Sequence, residues 1–194
     1  MINIEKYQRK EISMHELIGD LGHKDLFHQT NEMVDKILDL IAGCDDRDIT
    51  FTPEDPQAYD DAAATDEELT MPWTLGHVIV HTTASAEEAA AIAVELARGV
   101  PFRGGRSRSE VHWSTMKNID QCRSRLQESR RMRIASLNMW PDEPYIENTL
   151  VNHRGEEVNA IGSFMSGLTH EVSHLDQITD IVAQAHRFRR EGEM

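Results

Sequence analysis

The pattern of hydrophobic and polar positions along the chain predicts four long helices. In each of them apolar side chains recur every three to four residues, which is the spacing that lines one face of an α-helix. The predicted helices cover residues 24–41, 74–98, 114–137 and 158–187. The stripe of the first is formed by Phe27, Val34, Ile37, Leu38 and Ile41. The pattern therefore predicts an all-α protein.

Long polar connections separate these helices. Residues 44–72 are acidic and carry three prolines, and residues 138–157 are rich in turn-forming side chains and predict a small hairpin or a cap on the last helix. Residues 1–18 have loose helical spacing and predict a short leading helix. A chain of 194 residues is long enough for one domain with its own core. We predict a single domain over residues 1–194, with its core at about 24–187.

Composition excludes several classes of function. The chain has a net charge of −14, which argues against nucleic acid as a partner because phosphate contacts need a basic surface. No stretch approaches the roughly 20 apolar residues of a membrane span, and the first residues do not have the pattern of a secretory signal. Cys44 and Cys122 are too few for a disulfide framework. We therefore expect a cytoplasmic protein that binds neither nucleic acid nor membranes.

The sequence HEVSHLDQI at residues 170–178 places two histidines four residues apart in a predicted helix. Such residues stand about 40° apart around the helix axis and one turn apart along it, so that both imidazoles can reach one metal ion. Zinc accepts histidine nitrogen at about 2.0–2.1 Å. A third ligand must come from elsewhere, and the best donor segment is WTLGHVIVH at residues 73–81, where His77 and His81 share a face of the second helix.

The segment from His170 to His174 also matches the HExxH motif of zinc metalloproteases, in which the glutamate is the general base. The rest of the chain does not fit a protease, since it lacks the third histidine that the extended motif places soon afterwards and has no strand to hold a peptide. Glu171 projects onto the apolar side of its helix, where a carboxylate needs a partner. We consider it a metal ligand, a hydrogen-bond acceptor from a ligand histidine, or a base for metal-bound water, and assign it as the candidate catalytic residue.

The order and spacing of these two motifs resemble the DinB/YfiT-like superfamily, whose members are four-helix bundles with long connections. The resemblance extends from about residue 25 to 186. It implies that a divalent metal, zinc or nickel, is bound by one histidine of the second helix and two of the last, here His81, His170 and His174. His77 would then orient a ligand or line the pocket, and a site of four histidines stays open as an alternative.

Three histidine ligands leave a coordination position open, which is typical of a catalytic ion. Within the superfamily, the segment 76–81 resembles the mycothiol-dependent maleylpyruvate isomerase in its N-terminal domain. The resemblance implies a metal-dependent thiol transferase or isomerase that acts on a small molecule with a low-molecular-weight thiol, and a homodimer. A hydrolase that uses metal-bound water is a weaker alternative. The alternative from another class is a non-catalytic bundle, braced by the metal, that acts in dimerisation or partner binding.

Overall fold

The protein is mostly helical, and its long helices are those that the hydrophobic pattern predicts. The computed structural model describes residues 3–60, 65–104 and 111–192. In chain order the helices are α1 (Ile4–Gln8), α2 (Met14–Ile18), α3 (His23–Leu40), α4 (Asp46–Ile49), α5 (Leu75–Ala97), α6 (Ile119–Leu137), α7 (Ala160–Ser173) and α8 (Leu175–Gly192). A 3-10 turn (Trp113–Thr115) precedes α6, and an antiparallel hairpin of β1 (Leu150–Val151) and β2 (Glu157–Val158) precedes α7.

Four helices form the bundle. Helix α5 packs against α6 and α7, and α3 packs against the same two helices, so that the order around the bundle is α3, α6, α5, α7. Helix α8 follows α7 directly in the chain and packs against α3, α4 and α5. The apolar faces of these helices meet in one continuous core. The all-α four-helix bundle is confirmed, and within the described part of the chain no helix has the length and apolar character that crossing a membrane requires.

Side-chain caps fix where the bundle helices begin. The Thr74 side chain accepts a hydrogen bond from the His77 backbone N–H at 3.3 Å and so starts α5 where the sequence predicts. Asn118 and Gln121 form a capping box that starts α6. The helix that was predicted to begin at residue 114 therefore begins at Ile119, and a short 3-10 turn precedes it.

The prediction of one uninterrupted last helix was wrong at His174. There the backbone N–H donates to the Glu171 carbonyl oxygen, three residues back, at 3.1 Å, and the chain leaves α7 before it resumes as α8. The stripe predicted for α3 was wrong at Phe27, which is 41% exposed, whereas Leu26 and Met33 are buried. Tertiary packing places α3 with a slightly rotated face toward the core.

Glycine and alanine bring α5 and α7 close together. A Cβ atom at position 167 would lie 2.9 Å from the Ala86 Cα and 3.0 Å from the Ala89 Cβ, so Gly167 is required where these helices touch. This close approach sets the distance between the two helices that carry the histidine motifs.

Candidate metal centre

The three predicted metal ligands converge on one point. His81 lies in α5, His170 lies in the last turn of α7, and His174 lies at the break between α7 and α8. The Nε2 atoms of His81 and His170 are 3.1 Å apart, and those of His170 and His174 are 3.4 Å apart. The ligand atoms of all three residues lie within 4.8 Å of one another. The structure thus brings together residues that are 89 positions apart in the sequence.

The spacing of these nitrogens fits a single divalent cation. Two ligands that each stand about 2.0–2.1 Å from a tetrahedral ion lie roughly 3.3–3.4 Å from each other. The two nitrogen–nitrogen distances, 3.1 and 3.4 Å, are close to this value. All three imidazoles are half-buried, so that the group is held by the bundle and still accessible from outside. The residues can therefore hold a metal and leave room for another ligand.

The tautomer of His174 suits metal binding. Its Nδ1 lies 2.7 Å from Gln177 Oε1, and an amide oxygen can only accept, so Nδ1 carries the proton and the Nε2 lone pair faces the other two histidines. Burial lowers the pKa of His174, against the opposing effect of the bond to Gln177. The ring is therefore neutral at pH 7 and available as a ligand.

An indole wall borders the three histidines. The Trp73 ring lies 4.6 Å from the His81 ring and 5.9 Å from the His174 ring, centroid to centroid. Trp73 also stacks on His77, with the ring centroids 4.4 Å apart. Trp113 stacks on His77 as well, with the centroids 4.9 Å apart and the ring planes at 7° to each other. His77 is thus held between two indoles. Sequence reasoning assigned no functional role to either tryptophan and missed that Trp73 contacts two candidate ligands.

His77 is not one of the three converging histidines. It is 9% exposed, and its Nδ1 is buried without a hydrogen-bond partner among the described residues. Burial lowers its pKa to about 4, while the nearby carboxylates of Asp60 and Glu68 act in the opposite direction. A neutral imidazole that stacks between Trp73 and Trp113 braces the indole wall. The four-histidine alternative finds no support in this geometry.

Glu171 faces away from the three histidines and forms a buried ion pair. Its Oε2 accepts a hydrogen bond from Arg133 Nη1 at 2.7 Å, and the two side chains are 0% and 1% exposed. Burial raises the pKa of Glu171, while the guanidinium of Arg133 lowers it. The expectation that a carboxylate on the apolar face needs a partner is confirmed. Sequence reasoning missed Arg133 because α6 carries many arginines, and the catalytic role of Glu171 stays a prediction.

Cavities in the described part of the chain have two of the candidate ligands in their walls. One of about 170 Å³ is lined by His174, Gln177 and Trp73 together with residues of the acidic connection, including Asp55 and Tyr59. The other, of about 390 Å³, has His170 in its wall and lies between α5, α7 and the hairpin. Small molecules can therefore bind beside His174 and beside His170.

A second group of possible ligands is better explained as an ion pair. Atoms of Cys44, Asp48 and His186 lie within 4.8 Å of one another. Arg189 donates a hydrogen bond to Asp48 at 2.9 Å, however, and burial raises the pKa of Cys44 to about 11. A protonated thiol and a carboxylate that already pairs with a guanidinium are poor metal ligands. We assign this group to the contact between α4 and α8.

Comparisons with known proteins and protein families identify the family of this chain. No curated protein and no solved structure matches the chain significantly. A family model described as the DinB superfamily matches residues 29–178, which include all three histidines and most of the bundle. This match covers well over half of the chain and agrees with the helical fold and with the order of the histidine motifs. The chain belongs to the DinB superfamily.

Proposed function

We propose that the protein is a metal-dependent enzyme, of the thiol-transferase or isomerase type, that acts on a small molecule. One observation carries the proposal: three histidines whose ligand atoms lie within 4.8 Å of one another meet beside cavities that have His170 or His174 in their walls. A site with three protein ligands keeps a position for a substrate or thiol, whereas structural zinc sites are closed by four protein ligands. Separate cavities beside His170 and His174 suit a reaction between two molecules.

The chain's own residues would hold and orient the reactants. His81, His170 and His174 would bind a divalent cation, zinc or nickel, which supplies Lewis-acid chemistry and lowers the pKa of a bound thiol. Gln177 fixes the tautomer and the ring plane of His174. Trp73 packs against the rings of His81 and His174 and would help to hold their planes.

The metal is tested by comparing two histidine variants. We expect the purified protein to retain about one equivalent of divalent metal, and His81→Ala to lose most of it. His28→Ala is the matched control, because its ring is exposed on α3 and pairs with Glu32 of the same helix. Metal content is measured by mass spectrometry after both variants are shown to be folded by circular dichroism. Equal metal content in His81→Ala and the control would contradict the proposed site.

The thiol is tested by thermal shift. The metal-loaded protein and the chelated protein are each heated with a panel of low-molecular-weight thiols and small electrophiles. We expect at least one thiol to raise the melting temperature of the metal-loaded form alone, because the thiol would bind through the cation. A positive thiol is then mixed with the electrophiles, and loss of free thiol is followed over time. If no thiol protects the loaded protein, the thiol-dependent reaction is wrong.

A structural role for the metal is the second candidate. It is favoured by the fact that the three histidines join α5 to the junction of α7 and α8, so that a bound ion would brace the bundle. In that case chelation would lower the melting temperature greatly while neither thiols nor electrophiles changed it. The two candidates therefore predict different results in the same thermal-shift experiment.

A further inference from the structure

A groove runs along the contact between α5 and α7 and has one candidate metal ligand, His170, in its wall. On α5, Ala89 and Ile92 follow His81 at eight and eleven residues, so they continue along the same side of the helix. On α7, Ser163 lies seven residues before His170. The Ser163 hydroxyl donates to the Ala89 carbonyl oxygen at 3.4 Å, and His81 faces His170, so the two helices run antiparallel. Both rows of residues therefore lead away from the histidines in the same direction.

Most of this groove is apolar. Ala89 and Gly167 form part of its wall, and Ile92, Phe102, Leu150 and Val151 enclose its far end. Phe102 is 38% exposed and Val151 is 67% exposed, so apolar surface faces the groove opening. The cavity volume of about 390 Å³ lies within the range of small-molecule sites.

The groove and its histidine end suit different parts of a ligand. Away from the histidines, burial lowers the pKa of His153, so this groove residue carries no positive charge for an anion at neutral pH. The apolar side chains of the groove cannot stabilise an anion, whereas a cation held by the three histidines would attract one. An anionic or electron-rich group of a ligand therefore belongs at the histidine end, and an uncharged body belongs in the groove.

We propose that the groove binds the apolar body of an elongated small-molecule substrate whose electron-rich end reaches the three histidines. This proposal rests on the proposed function for the metal-binding end of the substrate, and it adds the chemical class of the substrate. An uncharged aliphatic or aromatic tail fits the apolar walls, and a thiol, carboxylate or similar donor fits the cation. Continuity with His170 distinguishes this groove from an ordinary surface cleft, since the same cavity has an apolar wall and a candidate metal ligand.

Straight-chain hydroxamates from acetohydroxamate to octanohydroxamate test the proposal. They share one metal-binding group and differ only in tail length. Cobalt is loaded into the protein, and binding is read from the visible absorption of the ion. We expect affinity to rise by up to about fourfold for each methylene group that enters the groove, and to stop rising when the tail outgrows it.

Two matched variants locate the tail. Val151→Asp adds a charge to an exposed groove residue, and Ile146→Asp adds the same charge to an exposed residue, 55% accessible, that does not line the groove. We expect Val151→Asp to reduce the rise of hydroxamate affinity with tail length and to leave acetohydroxamate affinity unchanged. We expect Ile146→Asp to behave like the wild type. If acetohydroxamate binds but tail length has no effect, the groove proposal is overturned while the metal proposal stands.

A failure to load cobalt would contradict the proposed function and still leave the groove testable. Normal alcohols from butanol to octanol carry no strong metal-binding group, and their binding is followed through the methyl NMR signals of Ile92. Affinity that rises with chain length in the wild type and not in Val151→Asp supports an apolar-tail groove. Shifts that are absent, or equal in both proteins, overturn it.

Discussion

The buried pair of Arg133 and Glu171 gives the sharpest test of how the bundle supports the candidate metal centre. The guanidinium lies on α6 and the carboxylate on α7, two helices that are diagonally opposite in the bundle. The perturbation is Glu171→Gln, which keeps the shape of the side chain and removes its charge. The substitution would leave the Arg133 cation in the core without a counter-ion.

The expected cost follows from burial and distance. The two side chains are 0% and 1% exposed and make a direct hydrogen bond of 2.7 Å. Opposite charges about 4 Å apart attract by about 4 kcal/mol at an effective dielectric constant of about 20. Removing one partner of such a pair typically costs about 3–5 kcal/mol. Since Glu171 Oε1 and Arg133 Nη2 have no other partner within the described residues, we expect Glu171→Gln to lose about 3–5 kcal/mol of unfolding free energy.

The assay is urea unfolding followed by circular dichroism, with the double variant Arg133→Met/Glu171→Met as the control. The double variant removes both charges and fills the space with apolar atoms, so it should recover most of the stability that Glu171→Gln loses. Metal content is measured at a temperature where all three proteins are folded. Because Glu171 points toward Arg133 rather than toward His81, we expect metal content to stay near the wild-type value.

Two results would refute this reasoning. A loss below about 1 kcal/mol in Glu171→Gln would show that the buried charge pair contributes little to stability. A folded double variant without metal would show that Glu171 belongs to the metal centre, in agreement with the catalytic role that the sequence predicts for it.

Three further predictions concern other parts of the bundle. Burial lowers the pKa of His77 from its ordinary 6.5 to about 4 in the folded protein. The unfolded chain therefore binds the proton more tightly, and the free energy of unfolding should fall as pH falls from 6.5 to 4. The variant His77→Phe should remove on the order of 3 kcal/mol of that loss, measured by urea unfolding at both pH values. Gly167→Ala should destabilise by about 1–2 kcal/mol in thermal unfolding, because a Cβ would press on Ala86. Thr74→Ala should cost about 1 kcal/mol in urea unfolding through loss of the α5 cap.

The helices could be predicted because their signals are local. A run of apolar residues with a period of about 3.6 and a cap such as Thr74 fixes a helix without reference to the rest of the chain. The break at His174 could not be predicted, since neither proline nor glycine marks it and the chain continues with good helix formers. Its cause lies in how α7 and α8 pack against different neighbours.

The metal centre was predictable in part. The spacing of His170 and His174 indicates a shared ion, but His77 and His81 have the same spacing, and only the family resemblance favoured His81. The structure separates them through Trp113, which stacks on His77 from the segment that precedes α6. Such contacts between distant segments leave no periodic signal in the sequence, and the same is true of Arg133.

A metal centre whose ligands come from two helices depends on the distance at which those helices pack. Gly167 lies about one turn before His170, and it lets α7 approach α5 so closely that a Cβ would lie 2.9 Å from Ala86 Cα. This contact keeps the His81 and His170 nitrogens 3.1 Å apart. Metal affinity and unfolding free energy should therefore fall together when the contact of Gly167 with α5 is altered, whereas changes at the exposed groove rim should alter ligand binding alone.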